Sequence, residues 1–234
     1  MSKPWSAPGF HATIQEKSRS KDQPLRKMID NSFRELLPRY VDPLVRLLNR
    51  IGLTPNQITC LGLAIALGAA WLVVQENFLA ALAVWWLSRL LDALDGIYAR
   101  QFNKASDFGA FLDIQFDMLA YSAMVLAFSS VWPEYNTQWL LMLFCYVLCI
   151  SGALGLGGFE NKRGLEDSSG RGLRLATGLA EGGETGIAYS MFLLFPAWLA
   201  VTTWIWLAVL AVTILARLLL ARAELSPREL EPDE

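Results

Sequence analysis

The chain has 234 residues, 54% of them hydrophobic, nine tryptophans and a formal net charge of −2. Soluble domains average about 45–50% apolar. Here the charges cluster in short stretches that leave long apolar blocks between them, which argues against a soluble domain or a disordered chain. The slight acidity offers no basic surface for nucleic acid. Cys60, Cys145 and Cys149 stand isolated in apolar runs and the single histidine, His11, lies in a polar stretch, so a zinc site or a His-dependent mechanism is not expected.

In chain order, residues 1–23 read as a polar tail. Residues 24–51 place Leu25, Met28, Ile29, Phe33, Leu36 and Leu37 at helical spacing, with Arg26, Lys27, Arg34 and Glu35 between them. Pro38 interrupts the pattern, and Tyr40, Val41, Leu44, Val45, Leu47 and Leu48 resume it. The spacing predicts an amphipathic helix on the cytoplasmic membrane surface, with a solvated helix packed on a bundle as the plainer alternative. Residues 52–222 then hold six apolar blocks, near 56–74, 78–99, 108–131, 138–158, 183–201 and 203–221. Each is about as long as a membrane-spanning helix needs to be. The breaks are expected at Gln75-Glu76-Asn77, at Trp132 to Asn136 and at Thr202-Thr203, and residues 223–234 form a polar C-terminal tail. The fold class expected is therefore all-α, a bundle of six transmembrane helices with an N-terminal surface helix. The first apolar block follows a long polar and amphipathic stretch, which argues against a cleavable signal peptide.

Ten of the 20 Lys and Arg residues lie in residues 1–50, and most others fall in or beside the 2–3 and 4–5 connections or near the C-terminus. The 1–2, 3–4 and 5–6 connections carry none. This asymmetry predicts both termini and the even-numbered loops in the cytoplasm.

Ionisable groups inside apolar helices cost a few kcal/mol each, about 2.5–3.5 on insertion scales, and so need a reason. The second block carries Asp92 and Asp95, the third Asp113 and Asp117. The predicted topology puts both pairs near the cytoplasmic ends of adjacent helices. At about 100° per residue, Asp92, Asp95, Gly96, Ala99 and Arg100 share an arc of roughly 140°. Gly109, Asp113 and Asp117 follow one another at i, i+4 on one face. Four facing carboxylates cannot all stay ionised without cations, and hard oxygen ligands favour Mg²⁺ or Mn²⁺, with two ions shared across the pairs. Salt bridging by Arg89 and Arg100 would neutralise only two of the four. A cation pathway fits poorly, because the acids gather at one end instead of crossing the membrane.

Written out, the segment is Asp92-x2-Asp95-Gly96-x2-Ala99-Arg100-x8-Gly109-x3-Asp113-x3-Asp117. It resembles the signature of the CDP-alcohol phosphotransferase family at every fixed position, and Thr54-Pro55-Asn56-Gln57-Ile58-Thr59 is similar to a second family element. The resemblance covers roughly residues 40–221, with the specific part at 92–117. It implies an enzyme that displaces CMP from a CDP-linked donor by an alcohol hydroxyl, with the four aspartates holding two metal ions. It further implies Asp117 as the group that takes the hydroxyl proton, with Asp113 beside it in the catalytic pair, and Arg100 as a diphosphate contact. Asn56, Thr59, Asp92, Gly96, Ala99 and Gly109 would complete the CDP site, and the family also implies a homodimer. The compact chain looks more like users of CDP-diacylglycerol than like enzymes joining CDP-choline or CDP-ethanolamine to diacylglycerol. A bacterial-type inner membrane, with the active site on the cytoplasmic side, follows as the expected location.

For the acceptor alcohol the candidates are Glu181 and Glu184, i, i+3 at the opening of the fifth helix, and Arg217 in the sixth. The glutamates could bind polyol hydroxyls or a cationic head group, or simply favour a helix N-terminus. Arg217 could bind an acceptor phosphate or snorkel to the interface. The competing class is a non-catalytic membrane protein, either a cation pathway or a scaffold of the same fold.

Overall fold

The computed structural model describes residues 42–162 and 182–225. They fall into two units divided after Gly52. In the first, a helix over residues 42–51 (α1) opens on Asp42 and Pro43, carries an Asp42–Arg46 ion pair at 2.8 Å, and stops at Gly52, whose φ of +80° suits glycine. The remainder of the expected surface helix, residues 24–41, lies outside the described residues.

The second unit is entirely helical among the described residues: α2 (Pro55–Val74), α3 (Phe78–Gln101), α4 (Asp107–Val131), α5 (Asn136–Lys162), α6 (Gly182–Leu194) and α7 (Leu199–Leu225). Short 3₁₀ turns, Pro133–Tyr135 and Pro196–Trp198, lead into α5 and α7. Among the described residues, four segments are long and apolar enough to cross a membrane: α2, α4, and α5 and α7 with their leading turns. The protein is an integral membrane protein. Helix α3 has the length, but Arg89, Asp92, Asp95 and Arg100 lie within it; α6 is described over 13 residues only.

The ends of the helices explain themselves locally. Thr54 caps α2 through a capping box: its hydroxyl accepts from the Gln57 amide at 3.3 Å, while Gln57 Oε1 accepts from the Thr54 amide at 2.9 Å. Ser106 caps α4, accepting from the Gly109 amide at 3.0 Å. One expected boundary moves. The fifth helix ends at Leu194 instead of near 201, because Pro196 lacks an amide proton and forces Phe195 out of the helical region. Thr202 and Thr203, expected as the break, sit inside α7. Their hydroxyls bond back to the carbonyls of Trp198 and Leu199 at 3.1 and 2.6 Å.

Helix α2 packs against both α3 and α4, while α3 and α4 are held apart from each other. The face of α2 that allows this is small: Gly62, Ala66, Ala69, Ala70 and Val73 are buried along one stripe. A Cβ on Gly62 would already touch Leu91 at 3.7 Å. Where lipid removes the hydrophobic drive, such close backbone approach is what helix packing rests on. On the other side α5 pairs with α7, and α6 packs on α3 and α7.

The centre is aromatic. Trp85, Phe128, Trp139, Tyr189 and Phe192 are fully buried and stack edge-on or tilted against one another. The hydroxyls there form a satisfied chain: Trp206 Nε1 donates to Tyr146 at 3.1 Å, Tyr146 pairs with Tyr189 at 3.0 Å, and Tyr189 donates to the Tyr121 carbonyl at 3.1 Å. Replacing Tyr146 by Phe would strand the buried Trp206 donor. We expect a loss of about 1–3 kcal/mol, read as a lower Tm in detergent, with no change of helix content by circular dichroism.

Candidate active site

A cleft of about 170 Å³ opens where the N-termini of α2 and α4 meet the C-terminal half of α3. Its lining includes Asn56, Thr59, Asp95, Gly96, Ala99, Arg100, Gly109 and Asp113, so eight of the residues singled out by the sequence converge on one space. Asp92 and Asp117 lie one helical turn further along α3 and α4. Glu184, exposed in the first turn of α6, and Arg217 are outside this lining. Glu181 lies outside the described residues. Arg217 is 8% exposed, and its Nη1 donates to the Cys149 carbonyl of α5 at 2.5 Å.

The lining follows from local structure. The capping box of α2 fixes Asn56 and Thr59 in its first two turns. Gly109 sits in the first turn of α4, where a Cβ would come within 3.0 Å of Asn56 Oδ1 and 3.1 Å of Ser106 Oγ. A side chain at this position would have to shift one of those two oxygens. On Gly96 a Cβ would meet only the movable guanidinium of Arg100, at 3.3 Å. Tyr98 ties the end of α3 to the start of α2 by donating to the Leu53 carbonyl at 2.8 Å.

The four carboxylates gather across the gap between α3 and α4, and each is within electrostatic reach of the other three. Asp95 is 5% exposed, and its Oδ2 is buried with no hydrogen-bond partner. The Thr59 hydroxyl is beside it, with the Pro55 carbonyl as a second acceptor at 3.1 Å. Asp113 faces the opening, with Arg100 in electrostatic range.

The four carboxylates suit a divalent ion by their chemistry but not by their present spacing. All the donors are hard carboxylate oxygens on facing helices, and one is buried and unsatisfied, which suits Mg²⁺ or Mn²⁺. The side chains are nevertheless not drawn into a chelate: among the described residues no group of three or more His, Cys, Asp or Glu is tight enough to hold one ion. The guanidinium of Arg89 engages two of the four. It bonds Asp117 Oδ1 at 2.5 Å and lies 3.8 Å from Asp92 Oδ2. The donor set fits a metal, in side-chain positions that an ion would rearrange.

Two residues that sequence reasoning did not place in the site belong to it geometrically. Lys104 lines the cleft, its ammonium donating to the Tyr98 hydroxyl at 2.5 Å and lying 4.7 Å above that ring. Its only sequence signal was a cation between the two acid pairs. Ser106 lines it too, and an N-cap three residues before a glycine was the signal available.

The sequence profile of the CDP-alcohol phosphatidyltransferases matches residues 52–215, and the chain belongs to this family of membrane phospholipid-synthesising enzymes. Among its relatives, inner membrane protein YnjF of Escherichia coli (strain K12) is 33% identical over 195 residues, 81% of this chain and 93% of that one. The archaetidylinositol phosphate synthase of Pyrococcus horikoshii is 30% identical over 167 residues, 70% of this chain and 82% of that one. Of solved structures, Mycobacterium tuberculosis phosphatidylinositol phosphate synthase in complex with manganese and citrate superposes with a TM-score of 0.57 at 26% identity. That match covers 82% of this chain and 94% of that one.

Proposed function

We propose that this enzyme displaces CMP from CDP-diacylglycerol by the hydroxyl of a small polar alcohol, in a cytoplasmic site served by two divalent ions. The observation that carries the reading is the convergence, on one cleft, of paired carboxylates, a fixed cation and two helix N-termini. The N-termini of α2 and α4 present positive dipole ends to the opening, as an anionic diphosphate requires. Arg100 would hold that diphosphate through its planar fork. Gly96 and Gly109 would let the nucleotide lie against helix backbone, with Asn56, Thr59 and Ala99 along the same wall.

Asp92, Asp95, Asp113 and Asp117 would hold the ions, whose positive charge would polarise the diphosphate and stabilise the leaving CMP. Asp117, with no histidine among the described residues, would accept the proton of the incoming hydroxyl. Glu181, Glu184 and Arg217 remain the proposed acceptor side, with the chain spanning the membrane six times, both termini inside, as a homodimer in an inner membrane. Relatives named for phosphatidylinositol phosphate and archaetidylinositol phosphate synthesis support a phosphatidyl-type donor. They also put inositol phosphate first among acceptors to try.

The test is CMP release by purified protein in detergent with Mg²⁺ or Mn²⁺, CDP-diacylglycerol and a panel of alcohols. The panel holds inositol phosphate, glycerol 3-phosphate, glycerol, serine, inositol, choline and ethanolamine. Release with one alcohol is expected. Activity only with CDP-choline or CDP-ethanolamine and diacylglycerol would reverse donor and acceptor, and silence with both donor types in folded protein would leave a scaffold. The topology has its own check: a C-terminal fusion to alkaline phosphatase should be inactive in bacterial cells, and a fluorescent-protein fusion bright. The opposite pair of results would invert the orientation.

A further inference from the structure

Arg89 is a heavily engaged charged side chain outside the family signature. It sits one turn before Asp92 on α3, 10% exposed, and is not part of the cleft lining. One Nη bonds Asp117 and lies 3.4 Å from the Tyr121 hydroxyl; the other meets Ser88 Oγ at 3.1 Å. Its guanidinium carbon lies 4.8 Å from the Trp85 ring centroid and 5.3 Å from that of Tyr121. Tyr121 continues the Gly109, Asp113, Asp117 stripe by one further turn, and Trp85 does the same on α3. Arg89 therefore has an aromatic cradle at the blind end of the carboxylate cluster, with the opening at the other end.

We propose that Arg89 is a built-in counter-ion of the carboxylate cluster: it compensates Asp92 and Asp117 while no divalent ion is bound, and it weakens the site's affinity for ions alone, so that metal and donor load together. This rests on the proposed function. At full ionisation the four carboxylates with Arg89, Arg100 and Lys104 sum to −1, and two divalent ions would bring the site to +3, a charge that attracts a diphosphate. Without Arg89 the loaded site would be one unit less positive, the ions would bind more tightly by themselves, and the donor would add less. The coupling is reciprocal, because each ligand must raise the affinity of the other by the same factor. The position argues against a direct donor contact, since the guanidinium lies behind the acids and away from the cleft. A purely structural stitch between α3 and α4 makes the opposite prediction, because losing it would loosen the acids and weaken metal binding.

The experiment measures Mn²⁺ binding to full-length protein in detergent, from the electron paramagnetic resonance of free Mn²⁺, first without nucleotide and then with CDP as the probe. Arg89→Gln should bind Mn²⁺ roughly tenfold or more tightly than wild type without CDP, and should lose most of the tightening that CDP brings. Arg89→Lys, which keeps the charge, should stay near wild type. Folded Arg89→Gln with unchanged or weaker Mn²⁺ binding would overturn the proposal. Arg89→Met, similar in length and apolar against the two rings, provides the same comparison should the Gln variant not fold. The wild-type protein is a second test, since an Mn²⁺ affinity that CDP does not raise would also overturn the proposal. Asp113→Asn separates the two levels: if that variant still binds Mn²⁺ like wild type, the carboxylate cluster is not the metal site and the proposed function itself is wrong.

Discussion

Asp113→Asn and Asp117→Asn should each cut CMP release by roughly 10³-fold, the equivalent of about 4 kcal/mol of lost transition-state stabilisation, while leaving the helices intact. Both changes keep side-chain volume and remove one negative charge from a cluster in which every carboxylate feels the other three. The two variants should differ in stability. Asp117 is bonded to Arg89, whose guanidinium is buried between Trp85 and Tyr121, so Asp117→Asn leaves a buried cation with a weaker partner. Its Tm should fall. Asp113 faces the opening, and Asp113→Asn relieves like-charge repulsion there, so its Tm should hold or rise. Activity within tenfold of wild type in either folded variant would remove that residue from the catalytic pair.

The second large effect is expected at Gly109. A Cβ there would come within 3.0 Å of Asn56 Oδ1 and 3.1 Å of Ser106 Oγ. Both oxygens belong to first-turn or capping residues, and Ser106 Oγ is held by its bond to the Gly109 amide. Overpacking of this kind costs about 1–3 kcal/mol. We expect Gly109→Ala to raise the KM for the CDP donor by roughly tenfold and Gly109→Val by roughly a hundredfold, at about 1.4 kcal/mol per decade. The contrast is Gly96→Ala. Its added methyl meets only the far end of Arg100, 3.3 Å away and free to swing, so its Tm should stay near wild type, and any rise in KM would report the nucleotide itself against that helix face. A Gly96→Ala effect as large as that of Gly109→Ala would mean that nucleotide, not neighbouring side chains, fills both positions.

Most helices were legible because each is stated locally. Apolar runs and the polar breaks at Gln75 and Pro133 act over a few residues, and the helices follow them; the Thr54 capping box and Ser106 before α4 are equally local, but emerged only with the structure. The misplaced boundary between α6 and α7 has an equally local cause. Two threonines look like a break only when their hydroxyls are assumed to need water; bonded back to Trp198 and Leu199 they are content inside a helix, and Pro196 ends the previous one.

The acid pairs, their helical faces and the glycines between them were set by spacing along single helices, so the sequence determined them without help. What surrounds them was decided only in three dimensions. Helix α2 wedges small residues between α3 and α4, and the gap it leaves is one that long side chains must cross. Whether Arg89 reaches Asp117, Asp92 or solvent depends on that gap and on the aromatic cradle built by Trp85 and Tyr121. Lys104 enters the cleft, and Arg217 turns to a carbonyl of α5, for the same reason. A helix fixes which side chains share its own face, but the partner of a long charged side chain is chosen by whatever the neighbouring helices bring within its reach.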